Sequence, residues 1–281
     1  MRTDPHLRFF ITAILCAACL FSCDREPSPK AGTHTMTWLP GESIDGYLLW
    51  IPEGYDRSRS WPLLLALREA GWWGGRSGGD IISGPARVVE TMDRKDLAFL
   101  RRDFLILSPR FTGVREEDGP REDRTDRLME LVDDVTRAYH GDPRRVYLTG
   151  TGGGECGVWV CLEQHPDRFA AAAPLGGLPR AAAIRLDSAD ARSAFEKLPI
   201  WIIENRDNPA APSDLLIETV RRIEFFGGDR FIRIDDPGGL RETPRARRIL
   251  SIRTPEKSNA ENIYENPRFY RWLLRWERGE R

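Results

Sequence analysis

The segment VYLTGTGGGECG, residues 146–157, is the stretch that decides the fold of this chain. An apolar, β-branched run leads into four glycines within five positions, and a helical pattern follows. The segment therefore predicts a strand, a tight turn and a helix in immediate succession. Two kinds of site are built on such a turn, a phosphate cradle and a nucleophile elbow.

A phosphate cradle is only partly matched. Gly152, Gly154 and Gly157 have the spacing G-x-G-x-x-G of a dinucleotide site. Such a site also requires an acidic residue about 20 residues further on to bind the ribose. The corresponding residues 174–177 are PLGG, and the lysine and hydroxyl of a Walker loop are missing as well. The turn is therefore not predicted to bind a nucleotide.

Composition sets broad limits on function. The chain has 281 residues, 41% hydrophobic and 30% charged, with a formal net charge of −1. These values are typical of a globular protein, and the neutral balance argues against a nucleic-acid partner. Beyond Cys23 the only cysteines are Cys156 and Cys161, and no CxxC or HExxH spacing occurs. We predict no metal site and no cofactor.

The first 22 residues resemble a secretory leader. Arg2 and Arg8 precede an apolar core, residues 9–21, that is too short to span a bilayer as a mature helix. The core ends in Leu-Phe-Ser-Cys, which resembles a bacterial lipobox, a signal whose cysteine is lipidated and becomes the new N-terminus. We therefore expect export to the bacterial cell envelope and a membrane anchor at Cys23. The alternative is ordinary cleavage to a periplasmic or secreted protein.

A polar tether at residues 23–36 and one domain at residues 37–281 are predicted for the rest of the chain. Several predicted strands are continuous apolar runs, which indicates burial on both faces, as in a parallel sheet. Alternating strands and helices then give an α/β fold, a mostly parallel sheet with helices on both faces. Strands are predicted at residues 43–52, 61–68, 104–111, 146–150, 169–176, 199–206 and 230–236, helices at 127–140, 156–165, 213–226 and 267–277, and long loops at 112–126 and 241–262.

Residues 142–177 resemble the esterase and dienelactone-hydrolase-like (polyhydroxybutyrate-depolymerase-like) branch of the α/β-hydrolases. Asp142-Pro143, the strand at 146–150 and the sequence HPDRF at 165–169 carry this resemblance. It implies the α/β-hydrolase fold and a serine on a strained strand-to-helix turn, G-x-S-x-G. In that register the nucleophile position is Gly152, so the serine is missing.

The resemblance extends over most of residues 45–281 and implies the other two catalytic positions. The acid position is Asn208, with Asp207 one residue early, and the histidine position after the last strand is Leu240. The chain order of this fold is nucleophile, acid, histidine. No histidine follows the acid position, because the four histidines of the chain are His6, His34, His140 and His165.

Two other side chains near the turn are weak replacement nucleophiles. Thr151 is one residue out of register, and Cys156 lies a turn into the helix without the flanking glycine pattern. Because triad members act as a unit, losing the nucleophile or base lowers kcat by about a millionfold. We therefore predict a pseudoenzyme, an α/β-hydrolase homologue with no intact triad.

A ligand site is predicted beside the substituted triad. Arg68 and Glu69 occupy the positions where the family has the His-Gly pair of its oxyanion-hole loop. Trp72 and Trp73 follow, and adjacent tryptophans beside glycines can form a stacking platform for a small molecule. The alternative is that one tryptophan packs inward and the other covers the cleft, with Arg68 and Glu69 forming an ion pair.

Three functions stay open at this point. The favoured one is a lipid-anchored α/β-hydrolase homologue without catalytic activity, which acts through binding at the old cleft or at a surface. The second is an active carboxylesterase with an unorthodox nucleophile. The third is an envelope scaffold that has no ligand, and the fold alone does not separate the three.

Overall fold

The structure is a computed structural model. It describes residues 29–38, 43–67, 84–111, 122–151, 153–176, 189–205, 220–221, 224, 230–234, 242–253 and 261–279.

These residues form one sheet and the helices around it. The strands are β1 (Gly32–Thr37), β2 (Ile44–Ile51), β3 (Trp61–Leu67), β4 (Leu105–Phe111), β5 (Gly141–Thr151), β6 (Ala171–Leu175), β7 (Ile200–Asn205), β8 (Ile232–Arg233) and β9 (Arg248–Arg253). The α-helices are α1 (Gly84–Thr91), α2 (Ala98–Asp103), α3 (Glu122–Ala138), α4 (Gly153–Gln164), α5 (Ala189–Lys197), α6 (Glu261–Tyr264) and α7 (Pro267–Leu273).

The strand order in the described sheet is β1-β2-β4-β3-β5-β6-β7-β9-β8. β1 and β4 each pair with β2 antiparallel, and every other pairing is parallel. The parallel strands therefore share a carboxyl edge, where they end, and an amino edge, where they begin. The predicted α/β architecture with a mostly parallel sheet is confirmed.

Both faces of the sheet are covered. All seven residues of β3 are buried, and their side chains alternate between two separate apolar cores. One core contains Leu63 and Leu65 and includes residues of α3 and α4, and the other contains Leu64 and Ala66 and includes residues of α1 and α7. Continuous apolar strands are the expected consequence of a sheet buried between two helical layers.

Three sequence expectations are wrong in part. Residues 32–37 form β1, so the tether predicted to end at residue 36 is too long. The loop predicted at 241–262 contains β9, an internal strand between β7 and β8. The strand predicted at 230–236 is reduced to the two residues of β8. β1 is polar and β9 begins and ends with arginine, so neither has the apolar run by which the other strands were found.

The predicted charged loop at 112–126 is also wrong at its end. α3 begins at Glu122, and Arg124 and Thr125 are buried in its first turn. Residues 112–121 lie outside the described part of the chain, as does most of the helix predicted at 213–226. The helix predicted at 267–277 is present as α7 up to Leu273, and its Phe269, Tyr270, Trp272 and Leu273 have no exposed surface.

The junction between β5 and α4 is closely packed. A Cβ atom at Gly150 would lie 2.6 Å from the Gly154 carbonyl oxygen and 3.0 Å from Cγ2 of Val158. Helix α4 is apolar on all sides and buried over most of its length, so it cannot move outward to make room. Glycine at position 150 is therefore what lets the helix start directly on the strand.

Polar contacts connect the end of α4 to α3. Nε2 of His165 lies 3.2 Å from Oδ1 of Asp126, and Arg168 pairs with Asp133. Burial of the imidazole lowers the pKa of His165 below its ordinary value, although the Asp126 carboxylate acts in the opposite direction. The neutral ring is therefore the form that the folded state prefers.

Gly150→Ala is expected to destabilise the domain by about 1–3 kcal/mol, the usual range for overpacking a filled core. The free energy of unfolding from urea titration measures this change. Trimming the side chain in Gly150→Ala/Val158→Ala should not restore stability, because the nearest atoms to the new methyl group belong to the Gly154 backbone. Recovery in the double variant would show that this packing argument is wrong.

Acid is expected to destabilise the protein through His165. The pKa of His165 is lower in the folded state than in the unfolded chain. The stability that the neutral ring contributes is therefore fully present above the unfolded pKa of about 6.5, and it is lost as pH falls through the folded pKa. His165→Gln should flatten the loss of unfolding free energy between about pH 7.5 and 5. Asp126→Asn should steepen it, because it removes the charge that favours the protonated ring. Equal slopes for all three proteins would contradict the assignment.

Candidate functional site

The connection between β5 and α4 is as short as the strand-to-helix turn of a nucleophile elbow. β5 ends at Thr151 and α4 begins at Gly153, so a single residue connects the strand to the helix. An elbow of this kind holds its central side chain clear of the backbone, at the carboxyl edge of the sheet. The connecting residue is Gly152, which lies outside the described residues.

Beneath the elbow, a buried hydrogen-bond chain joins three segments. The Thr149 hydroxyl donates to the Ala173 carbonyl at 2.8 Å, and it lies 2.9 Å from the Tyr264 hydroxyl. Because the Thr149 hydroxyl donates its proton to the Ala173 carbonyl, the Tyr264 hydroxyl is the donor in its hydrogen bond with Thr149. Burial raises the pKa of the Tyr264 phenol well above its ordinary value, so it stays protonated. The Tyr264 carbonyl in turn accepts from the Tyr270 hydroxyl at 2.7 Å. α6 is thereby held against β5 below the turn.

The two replacement nucleophiles occupy different surroundings. Cys156 is 8% exposed and belongs to the apolar core around α4. Cys161, one turn further, is fully buried, and burial raises the pKa of its thiol. Thr151 is half-buried at the carboxyl edge, paired with Leu175 of β6. The positions of Thr151 and Cys156 neither support nor exclude a role as nucleophile.

The three described histidines lie away from the elbow. His140 directly precedes β5, at the amino edge, and His165 follows the last residue of α4. His34 is in β1, which β2, β4 and β3 separate from β5. With strands about 4.8 Å apart, that separation is about 19 Å. No described histidine is placed to act as a base at the elbow.

The strand order also changes which segment follows the last strand. β9, beside β7, ends at Arg253, so this segment is residues 254–260. Its sequence is TPEKSNA, which contains no histidine. Most predicted site residues lie outside the described part of the chain: the triad positions Gly152, Asn208 and Leu240, the neighbouring Asp207, the ligand residues Arg68, Glu69, Trp72 and Trp73, and the lipidation site Cys23.

Two buried charges of the sheet, one near each edge, were not found from the sequence. Glu204, one residue before the end of β7, is 2% exposed, and Arg248 at the start of β9 is 1% exposed. Glu204 alternates with Ile200 and Ile202, whose side chains belong to the core around α4, so its carboxylate lies on the α4 side of the sheet. A charged residue inside the apolar run PIWIIEN was the available signal.

The described residues contain neither a candidate metal site nor a candidate membrane-spanning helix. No group of three or more potential metal ligands occurs among those residues. Their longest helices are also too short and polar to cross a bilayer.

Comparison with known proteins finds local similarity in sequence. No family model matches the chain. Poly(3-hydroxyalkanoate) depolymerase C of Paucimonas lemoignei is 37% identical over 62 residues, which are 22% of this chain and 15% of the depolymerase. The chain thus matches only a small part of that curated relative.

Similarity in structure extends over most of the chain. A thermostable esterase superposes with a TM-score of 0.62 at 20% identity, covering 88% of this chain and 63% of the esterase chain. The feruloyl esterase module of Clostridium thermocellum superposes with a TM-score of 0.54 at 13% identity, covering 86% and 89%. A ferulic acid esterase superposes with a TM-score of 0.55 at 12% identity, covering 87% and 97%. These solved structures are esterases, and the chain has their α/β-hydrolase fold.

Proposed function

We propose that this protein is a non-catalytic α/β-hydrolase homologue that binds a small molecule at the former active-site cleft. One observation carries the proposal, the placement of the histidines. His140 and His165 lie beyond the far ends of β5 and α4, and His34 lies about four strands away. His6, the fourth, is in the leader-like segment. Among the described residues, no histidine is therefore near enough to activate a hydroxyl at the elbow.

The ligand site is assigned to the segment that follows β3. Leu67, the last residue of β3, pairs with Gly150 at the carboxyl edge, two residues before the elbow position. The chain therefore leaves β3 beside the elbow and continues into Arg68, Glu69, Trp72 and Trp73. Clefts at this edge of α/β sheets are the usual ligand sites, and tryptophan rings suit a flat or sugar-like ligand.

A lipid anchor at Cys23 completes the proposal. The leader-like residues 1–22 and the lipobox-like sequence ahead of Cys23 support it. The described domain begins its first strand at Gly32, so only a short segment would separate the lipid from the sheet. Mass spectrometry of the membrane-extracted protein detects the acyl chains directly. An unmodified chain cleaved elsewhere would replace this part of the proposal with a periplasmic or secreted location.

An active carboxylesterase is the second candidate. The single-residue turn between β5 and α4 and the superposition on esterases favour it. On this alternative Thr151 or Cys156 would supply the nucleophile.

Ester turnover separates the two candidates. Purified mature protein should hydrolyse short-chain aryl esters at the rate of a protein-free blank, and an organophosphonate probe should leave its mass unchanged. Thr151→Ala and Cys156→Ala serve as controls and should not differ from the wild type. Gly152→Ser combined with Leu240→His, or with Asn259→His in the segment after β9, tests whether a triad can be rebuilt. A wild-type rate that either alanine variant abolishes would establish an enzyme.

Gly152→Ser alone is expected to lower stability by about 1–3 kcal/mol without producing esterase activity. Serine at the centre of an elbow adopts an unfavourable backbone conformation, whereas glycine adopts it freely. The free energy of unfolding measures the difference. An unchanged or higher stability would mean that the turn is not a relaxed elbow.

A further inference from the structure

The solvent-exposed face of α7 has arginine side chains and no acidic side chain. Its buried face consists of aromatic and leucine side chains, whereas Arg271 and, just beyond the helix, Arg275 are exposed. The helix sequence PRFYRWL has no acidic residue. One side of the C-terminal segment is therefore positive.

Two further arginines extend this positive face across neighbouring elements. The Arg271 guanidinium lies 5.3 Å from the centre of the Phe99 ring, and Arg102 follows Phe99 by one turn on α2. On the other side, the Arg247 guanidinium lies 5.8 Å from the centre of the Trp276 ring. Residues one turn apart on a helix share a face, so Arg102 and Arg271 flank Phe99. We call Arg102, Arg247, Arg271 and Arg275 the arginine ridge.

The charges of the ridge are not neutralised within the described structure. None of its four arginines has an acidic partner within 4 Å among the residues described, whereas Arg101 next to the ridge pairs with Glu53 and Arg144 pairs with Glu277. The pairing of the neighbours shows that acids are available in this region. The four guanidinium groups of the ridge are therefore available to bind anionic groups outside the described part of the chain.

The ridge lies where the chain enters the domain. Gly32 at the start of β1 pairs with Ile51 at the end of β2. The same end of β2 contacts α2, since the Arg101 carbonyl accepts from the Trp50 indole at 3.3 Å and from the Glu53 amide at 2.9 Å. This is the amino edge of the sheet, opposite the elbow. Gly32 is nine residues after Cys23, and nine residue steps span at most about 30 Å.

We propose that the arginine ridge is a membrane-contact surface that binds anionic phospholipid headgroups and turns the carboxyl edge, with its cleft, away from the bilayer. The inference rests on the lipid anchor proposed at Cys23, which would keep the amino edge within reach of the membrane. Arginine near a negatively charged bilayer surface is attracted to it, and its planar guanidinium binds phosphate oxygens in pairs. An anchored domain with a neutral amino edge would have no preferred orientation.

Vesicle binding tests the ridge apart from the anchor. The mature chain without lipid, residues 24–281, contains every described strand and helix. In about 50 mM salt it should sediment with vesicles of phosphatidylcholine and phosphatidylglycerol at least tenfold more strongly than with pure phosphatidylcholine vesicles. Raising the salt to about 300 mM should remove most of this binding, because exposed charges are screened.

Charge-matched variants assign the effect to the ridge. Arg271→Glu/Arg275→Glu should weaken binding to the anionic vesicles at least tenfold, and Arg271→Lys/Arg275→Lys should stay within about threefold of the wild type. Arg127→Glu/Arg137→Glu changes the net charge equally on exposed positions of α3 and should have little effect. Far-ultraviolet circular dichroism and thermal melting confirm that each variant is folded.

Other results of the vesicle-binding experiment would contradict the role of the ridge in different ways. Equal binding to neutral and anionic vesicles, or equal loss with the α3 variant, would exclude the ridge as the contact surface. Binding to heparin or DNA without binding to anionic vesicles would make the partner a soluble polyanion instead of a membrane. The mass of the membrane-extracted chain reports lipidation at Cys23 independently, so failure of the anchor is distinguishable from failure of the ridge.

Discussion

The packing of the end of β5 against the first turn of α4 is the contact on which the rest of the structure depends. Gly150 has no Cβ, so the Gly154 carbonyl lies where a side chain would begin. This close approach allows the strand to become a helix through one residue. It also brings α4 flat onto the sheet, where the helix is buried between the strands and α3. A central strand and a buried helix are thereby locked in one register.

The junction is present although none of the described histidines lies near it. Hydrogen bonds from Tyr264 through Thr149 to Ala173 connect α6, β5 and β6 below the turn. These contacts stabilise β5, β6 and α6 whether or not a reaction takes place above them. Contacts that stabilise the fold are therefore enough to explain this junction, and the junction by itself is weak evidence for catalysis.

The two edges of the sheet differ in chemistry. At the carboxyl edge, β3, β5, β6 and β7 end side by side, and this is the edge where open α/β sheets usually bind a small molecule. At the amino edge, where the chain enters the sheet, the C-terminal segment and α2 present arginines that have no acidic partner within 4 Å among the described residues. On the two proposals together, the protein would be attached at one edge and would keep a ligand site at the other edge open to the surrounding solution.

The sequence by itself determined the α/β architecture, the strand-to-helix turn and the absence of a late histidine. Apolar runs and glycine spacing are local properties, and they identified β2 to β7 and α4 directly. Only the tertiary structure decided the places of β1 and β9, because a polar edge strand and a strand that buries Arg248 lack an apolar pattern. It also decided which charges are neutralised. Arg102, Arg247 and Arg271 are far apart in the chain, and their common surface exists only because α2, α7 and β9 pack at the same edge.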